Sequence, residues 1–154
     1  MGIGLGSIVA IAHGGSARFF ADLLAVWKVQ AAAACLDSTL TEMELQAVMD
    51  FLRPAAVLID GAALPGMGSI PLLELTNALP KSARLLPAAD LDLSAPALVL
   101  FTSGTTGTPK AVVLSFKALQ TRIELNGAAI GPAPLKRALV TLPTHFGHGL
   151  IGNS

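Results

Sequence analysis

Residues 7–36 read SIVAIAHGGSARFFADLLAVWKVQAAAACL, and this stretch decides the fold. It opens with a short apolar run containing β-branched residues, 7–12, that ends at His13-Gly14-Gly15, the pattern of a buried strand entering a turn. Ser16 is placed to cap a helix, because its hydroxyl can accept from an amide of the first turn. Phe19, Phe20, Leu23, Leu24 and Trp27 then recur at spacings that put them on one helical stripe, with Asp22 and Lys28 off it. Such a stripe needs a sheet to cover. Residues 31–36 supply the next apolar run, so the stretch reads as strand, helix, strand.

Beyond it the pattern repeats. Thr41 and Glu44 have the reciprocal capping-box spacing ahead of Leu45, Val48, Met49 and Leu52, which gives a second amphipathic helix. Arg53-Pro54 stops it, and 55–59 reads as a third strand ending at Asp60-Gly61. Strands alternating with helices argue for an α/β fold, a mostly parallel sheet with flanking helices and right-handed crossovers. Residues 61–96 then lose the pattern among Gly, Pro and Ala, and read as a connection with one short helix near 72–78. Pattern returns as a strand at 97–101, a loop at 102–109, a strand at 111–114, a helix at 116–129 and a strand at 138–142. One folding unit over 1–154 thus divides into a βαβαβ segment at 1–60, a connection at 61–96 and a segment built around the loop at 97–154.

Composition bounds what this unit can be. At 154 residues the chain can bury one core but not two of ordinary size. Its charged share of 13% is about half of the roughly 25% usual in globular domains, while 53% is apolar. The simplest account is that part of this surface is normally covered, by chain beyond these residues or, failing that, by a second copy meeting it at exposed edges. A membrane span needs about 20 mostly apolar residues without breakers, and glycines interrupt both charge-poor stretches, 1–17 and 93–109. The opening also lacks a charged start and a small-residue cleavage site. Cys35 stands alone, without a partner for an intrachain disulfide, so a cytoplasmic protein is expected. Ten basic and ten acidic residues give zero net charge, with no basic run to suggest nucleic acid or a lipid surface.

The chemistry concentrates in Thr102-Ser103-Gly104-Thr105-Thr106-Gly107-Thr108-Pro109-Lys110, directly after an apolar strand. Glycines let successive backbone N–H groups converge on one anion, hydroxyls donate further hydrogen bonds, and Lys110 supplies a cation, a set suited to a polyphosphate. The bland alternative is a Thr/Ser-rich hairpin turn. A Walker loop is excluded, because Gly104 and Gly107 are too close and Ala111 follows the lysine. Ser103 is not a hydrolase nucleophile either, since Phe101 stands where the elbow's first glycine should be.

The string LVLFTSGTTGTPKAVVLS, residues 98–115, resembles the signature of the adenylate-forming (AMP-binding) superfamily: acyl-CoA synthetases, adenylation domains of nonribosomal peptide synthetases, and luciferases. Weaker resemblance runs from Phe20 through Trp27 to Asp37 and over Val57-Leu58-Ile59-Asp60, with Gln30 where the family usually has the glycine of a turn. The resemblance places the chain in the large N-terminal domain of such an enzyme. It implies that Thr102, Ser103, Gly104, Thr105, Thr106, Gly107 and Lys110 bind the phosphates of ATP while a carboxylic acid attacks the α-phosphate, giving acyl-AMP and pyrophosphate. A thiol of CoA, or the pantetheine of a carrier protein, then displaces AMP.

Leu142-Pro143-Thr144-His145-Phe146-Gly147-His148-Gly149-Leu150 resembles the family's Pro-x-x-His-x-x-Gly stretch beside the acyl pocket, with Phe146 at the histidine or aromatic position. That implies a substrate pocket near His145, Phe146, His148 and Gly149. Helix-start histidines are the plainer alternative; two histidines three apart also suit a metal pair, but no cysteine or carboxylate cluster completes a shell. Elsewhere, His13-Gly14-Gly15 reads as a strand-to-helix turn rather than an oxyanion loop, Gly2-x-Gly4-x-Gly6 lacks the spacing of a dinucleotide fingerprint, and Asp37 and Asp60 read as turn and cap residues at strand ends.

The resemblance also implies parts that lie beyond Ser154: an acidic residue for Mg2+, an aspartate for the ribose hydroxyls and a lysine on a mobile C-terminal domain. No catalytic or metal residue is therefore assigned within the chain, and two readings stand. One is a piece of an ATP-dependent ligase, inactive without the missing remainder; the other is a non-catalytic phosphate-binding or assembly module derived from such an enzyme.

Overall fold

The computed structural model describes residues 2–61, 65, 69–74, 91–102, 110–131 and 141–151. In the first strand, β1 (Ile8–Ile11), side chains alternate between two layers: Val9 and Ile11 enter one apolar core, Ala10 the other. Helix α1 (Ala17–Lys28) closes the first core with Phe19, Leu23 and Val26, and Ser16 caps it by accepting from the Phe19 amide at 3.3 Å. Strand β2 (Ala32–Cys35) runs parallel to β1. Helix α2 (Glu42–Leu52) closes the second core with Leu45, Val48, Met49 and Leu52, each of which contributes roughly 1.5–3 kcal/mol when fully buried. Strand β3 (Ala56–Leu58) pairs with the other side of β1, again parallel. The two crossovers travel in opposite directions across the sheet, so crossovers of one hand must lie on opposite faces, as α1 and α2 do.

Strand β4 (Leu72–Leu73) lies beside β3, β5 (Pro96–Thr102) runs parallel to β2, and β6 (Lys110–Ser115) folds back antiparallel on β5. The six-stranded order is β4-β3-β1-β2-β5-β6. Helix α3 (Phe116–Ile130) and the single turn α4 (Gly147–Leu150) join α1 on its face through Phe116, Leu119 and Leu150. Strand β2 has a helical layer on each side, and Ala31, Ala32, Ala33 and Ala34 are at most 3% exposed. Burial pushes the Cys35 thiol up to about 12, so it stays un-ionised in the folded chain. Among the described residues no helix is long and apolar enough to cross a membrane.

Several expectations are corrected. Asp22, placed off the buried stripe by the sequence, is 2% exposed, whereas Leu24 points to solvent. The carboxylate can be buried because it accepts from His13 Nε2 at 2.8 Å, with Arg18 Nε 3.8 Å away. In place of the start of a helix over 72–78, Leu72–Leu73 is a strand beside β3, where the Pro71 and Leu73 carbonyls accept from the Val57 and Ile59 amides, and residues 75–78 lie outside the described residues. Of the strand expected at 138–142, residues 138–140 lie outside the described residues, and Thr141 and Leu142 belong to no regular element. The strands flanking the Thr/Ser/Gly loop each reach one residue further into it, to Thr102 and from Lys110.

Candidate functional site

Because β1, β2, β3 and β5 are parallel, their carboxyl ends share one edge of the sheet. Extending the ladders two residues beyond Ile11, Cys35 and Leu58 sets His13, Asp37 and Asp60 level with one another, and the β2/β5 register brings Thr102 to the same row. The glycine- and hydroxyl-rich string leaves from that row. Its ends are pinned opposite each other, since Thr102 pairs with Lys110 across the antiparallel ladder, and the Lys110 side chain is exposed. Ser103, Gly104, Thr105, Thr106 and Gly107 lie outside the described residues.

The loops after β1 and β2 diverge to opposite faces, which opens a crevice between the two strand ends, the place where ligands collect on parallel sheets. Here the segment 141–151 fills it. Thr144 is 3% exposed, and its Oγ1 accepts from the Gly15 amide at 3.4 Å. A Cβ at Gly14 would come within 2.8 Å of that oxygen, so only glycine permits the approach. His145 Nε2 lies 3.2 Å from Asp37 Oδ2 and makes no directed hydrogen bond with any described group. Asp37 Oδ1 accepts from the Thr39 amide and hydroxyl at 2.8 and 2.7 Å. Partial burial pushes the Asp37 carboxyl up, but the two Thr39 bonds and the nearby His145 outweigh it and hold the group below its ordinary 3.8.

The four pocket candidates separate. Phe146 and His148 line one groove of about 470 Å³ with Leu100, Phe101, Val112 and Leu142. His145 faces Asp37 instead, although its ring lies 4.2 Å from that of Phe146. Gly149 is buried structure: a Cβ there would run into the Pro143 carbonyl and lie 2.9 Å from that of Leu142. The Asn126 amide donates to the Ile151 carbonyl at 3.0 Å and ties the segment to α3. Thr144 and Asp37 escaped the sequence reading as members of this arrangement; the signal was the paired glycines after β1, which leave room for something to dock. Beside them, Arg18 joins Asp22 to Asp60, 3.0 Å from Nη1, and to Glu74 at 4.0 Å, one cation shared among three carboxylates. Among the described residues no group of three His, Cys, Asp or Glu gathers as a metal site would.

This sheet, with a glycine- and hydroxyl-rich string leaving its carboxyl edge, defines the class. The AMP-binding enzyme family matches residues 1–153, and the chain belongs to that family of adenylate-forming enzymes. It is similar to the hybrid PKS-NRPS synthetase xenE of Xenoacremonium sinensis, 40% identical over 126 residues that cover 77% of this chain and 3% of that protein. The N-terminal subdomain of Klebsiella oxytoca NpsA, solved with 3-hydroxybenzoyl-AMSN, is 26% identical, with a TM-score of 0.77 over 95% of this chain and 37% of that one. In fold the chain also resembles the o-succinylbenzoate CoA synthetase MenE of Bacillus subtilis, solved with the acyl-adenylate intermediate OSB-AMP, at a TM-score of 0.83 and 20% identity over 97% of this chain and 40% of that one. The chain thus spans about 3% of the hybrid synthetase and well under half of the solved relatives.

Proposed function

We propose that the chain is the phosphate-gripping part of an ATP-dependent ligase that activates a carboxylic acid. The acid's oxygen attacks the α-phosphorus, the bond to the bridging oxygen of pyrophosphate breaks, and acyl-AMP forms. Thr102, Ser103, Gly104, Thr105, Thr106 and Gly107 offer amides and hydroxyls to the β- and γ-phosphates, and Lys110 offsets their charge. Mg2+ would arrive largely on the polyphosphate, which supplies the hard oxygen ligands it prefers. The acyl group then passes to a thiol: likeness to a hybrid synthetase supports a carrier-protein pantetheine, and likeness to a CoA synthetase supports CoA.

The observation that carries this reading is the pairing of Thr102 with Lys110 at the carboxyl edge, which holds both ends of the string at one point. Its test is carboxylate-dependent exchange of labelled pyrophosphate into ATP by the full-length ligase. Lys110→Ala should remove charge-assisted contacts of roughly 1.5–3 kcal/mol and weaken ATP use by about tenfold or more; unchanged ATP kinetics would overturn it. The purified 154-residue chain should give no exchange above background, because adenosine and the reacting oxygens need further groups. Exchange by that chain would refute the inactivity.

A further inference from the structure

We infer that Asp37 is a positioning residue for the acid substrate, acting through His145 on Phe146. This rests on the ligase reading above. Asp37 divides its two oxygens: Oδ1 is held by the Thr39 amide and hydroxyl, and this fixes Oδ2 toward His145, 3.2 Å from Nε2. The His145 ring in turn lies against Phe146, with centroids 4.2 Å apart and planes at 50°. Phe146 is half exposed and lines the groove with Leu100, Phe101 and Val112, residues of the same hairpin that carries the phosphate string at its tip. A displacement of His145 therefore turns the aromatic wall of that groove.

The neighbouring contacts leave Phe146 little other freedom. Thr144 is wedged at Gly14-Gly15, and Gly149 is packed on the Pro143 carbonyl, so the backbone on both sides of residues 145–146 is fixed. Among the described residues the acid paired with His145 is Asp37, whose Oδ2 lies 3.2 Å from Nε2. Asp37 is not among the residues that line the groove and sits on a different loop, after β2. Its effect on a bound acid is indirect, and it should alter how well the acid is seated without altering the hold on ATP.

The test compares Asp37→Asn, His145→Gln, their double variant and Thr39→Ala in the full-length ligase by acid-dependent pyrophosphate exchange. Asparagine keeps an acceptor for Thr39 and removes the charge facing His145, which leaves the turn intact. Asp37→Asn should raise the KM for the acid about tenfold, as expected for one lost positioned contact, with kcat and the KM for ATP held. His145→Gln should give the same split, and the double variant should be no worse than either single one, because both break one relay. Thr39→Ala, which removes the hydroxyl but keeps the amide bond to Asp37 Oδ1, should raise the acid KM in the same direction by less than Asp37→Asn does. An unaltered acid KM in Asp37→Asn or in His145→Gln would overturn the proposal, as would a matched loss of kcat and ATP affinity, which marks general damage. If Asp37→Asn does not fold, His145→Gln decides alone. Failure of the unmodified ligase to exchange pyrophosphate with any acid would strike the ligase reading itself, a result separate from any ratio between variants.

Discussion

Gln30 occupies the left-handed region at φ 59°, in the turn between α1 and β2 where the family resemblance leads one to expect glycine. A side chain there costs about 1–2 kcal/mol, and glycine would return roughly 0.5–1 kcal/mol of that as extra freedom of the unfolded chain. Gln30→Gly should therefore raise stability by about 0.5–1 kcal/mol, read as a higher denaturant midpoint at unchanged slope. A lower midpoint would mean that the amide oxygen, which accepts from the Asp92 backbone at 3.4 Å, is worth more than the strain. At this scale the sequence pointed to the position but not to its conformation, because the departure is visible only beside a family that prefers glycine. Asp22 was misjudged for a comparable reason: the partner that lets it be buried, His13, lies outside its helix.

Elements whose determinants are contiguous were the most legible. The α2 capping box is complete, with the Thr41 hydroxyl accepting from the Glu44 amide and the Glu44 carboxylate accepting from the Thr41 amide at 2.9 Å. Four adjacent residues contain the whole interaction. Thr41→Ala should cost about 1 kcal/mol of stability in a denaturant melt. The hydroxyl and amide of Thr41 hold the Glu44 carboxyl below its ordinary 4.5, so that contribution is full above 4.5 and fades as pH falls through the lower folded value. The acid limb of the stability profile should be shallower in Thr41→Ala; an identical limb would place the acid sensitivity elsewhere. Strand β4 was not legible, because two leucines carry no period and their reason for being a strand is the open edge of β3. The same limit applied to the segment after Leu142: Phe146 and His148, named from the resemblance, line one groove, whereas the tie from His145 to Asp37 joins distant segments that only the fold brings together.

For the whole molecule, the shortage of charge has a location. The outer side of β6 has no strand partner among the described residues, and Val112 and Val113 are 45% and 57% exposed. An apolar groove of about 580 Å³ opens between α1 and α3, lined by Phe20, Leu24, Trp27, Phe116 and Ile123. Open edges and apolar faces recruit other chains. The 154-residue chain should associate with itself or aggregate, and Val113→Lys should reduce this in light scattering; a stable monomer at high concentration without that substitution would sink the idea. The centre of the sheet imposes an opposite constraint. Ala33, Ala34 and Ala56 are fully enclosed, and Gly14 and Gly149 have backbone or side-chain atoms where a Cβ would stand, while Met43 and Leu125 are 82% and 61% exposed. A saturation library sorted for folded protein should then lose nearly all diversity at these alanines and glycines and keep it at Met43 and Leu125. The chain writes its strictest instructions in its smallest letters, so sequence divergence among its descendants should erode exposed large residues such as Met43 and Leu125 before the enclosed alanines and glycines.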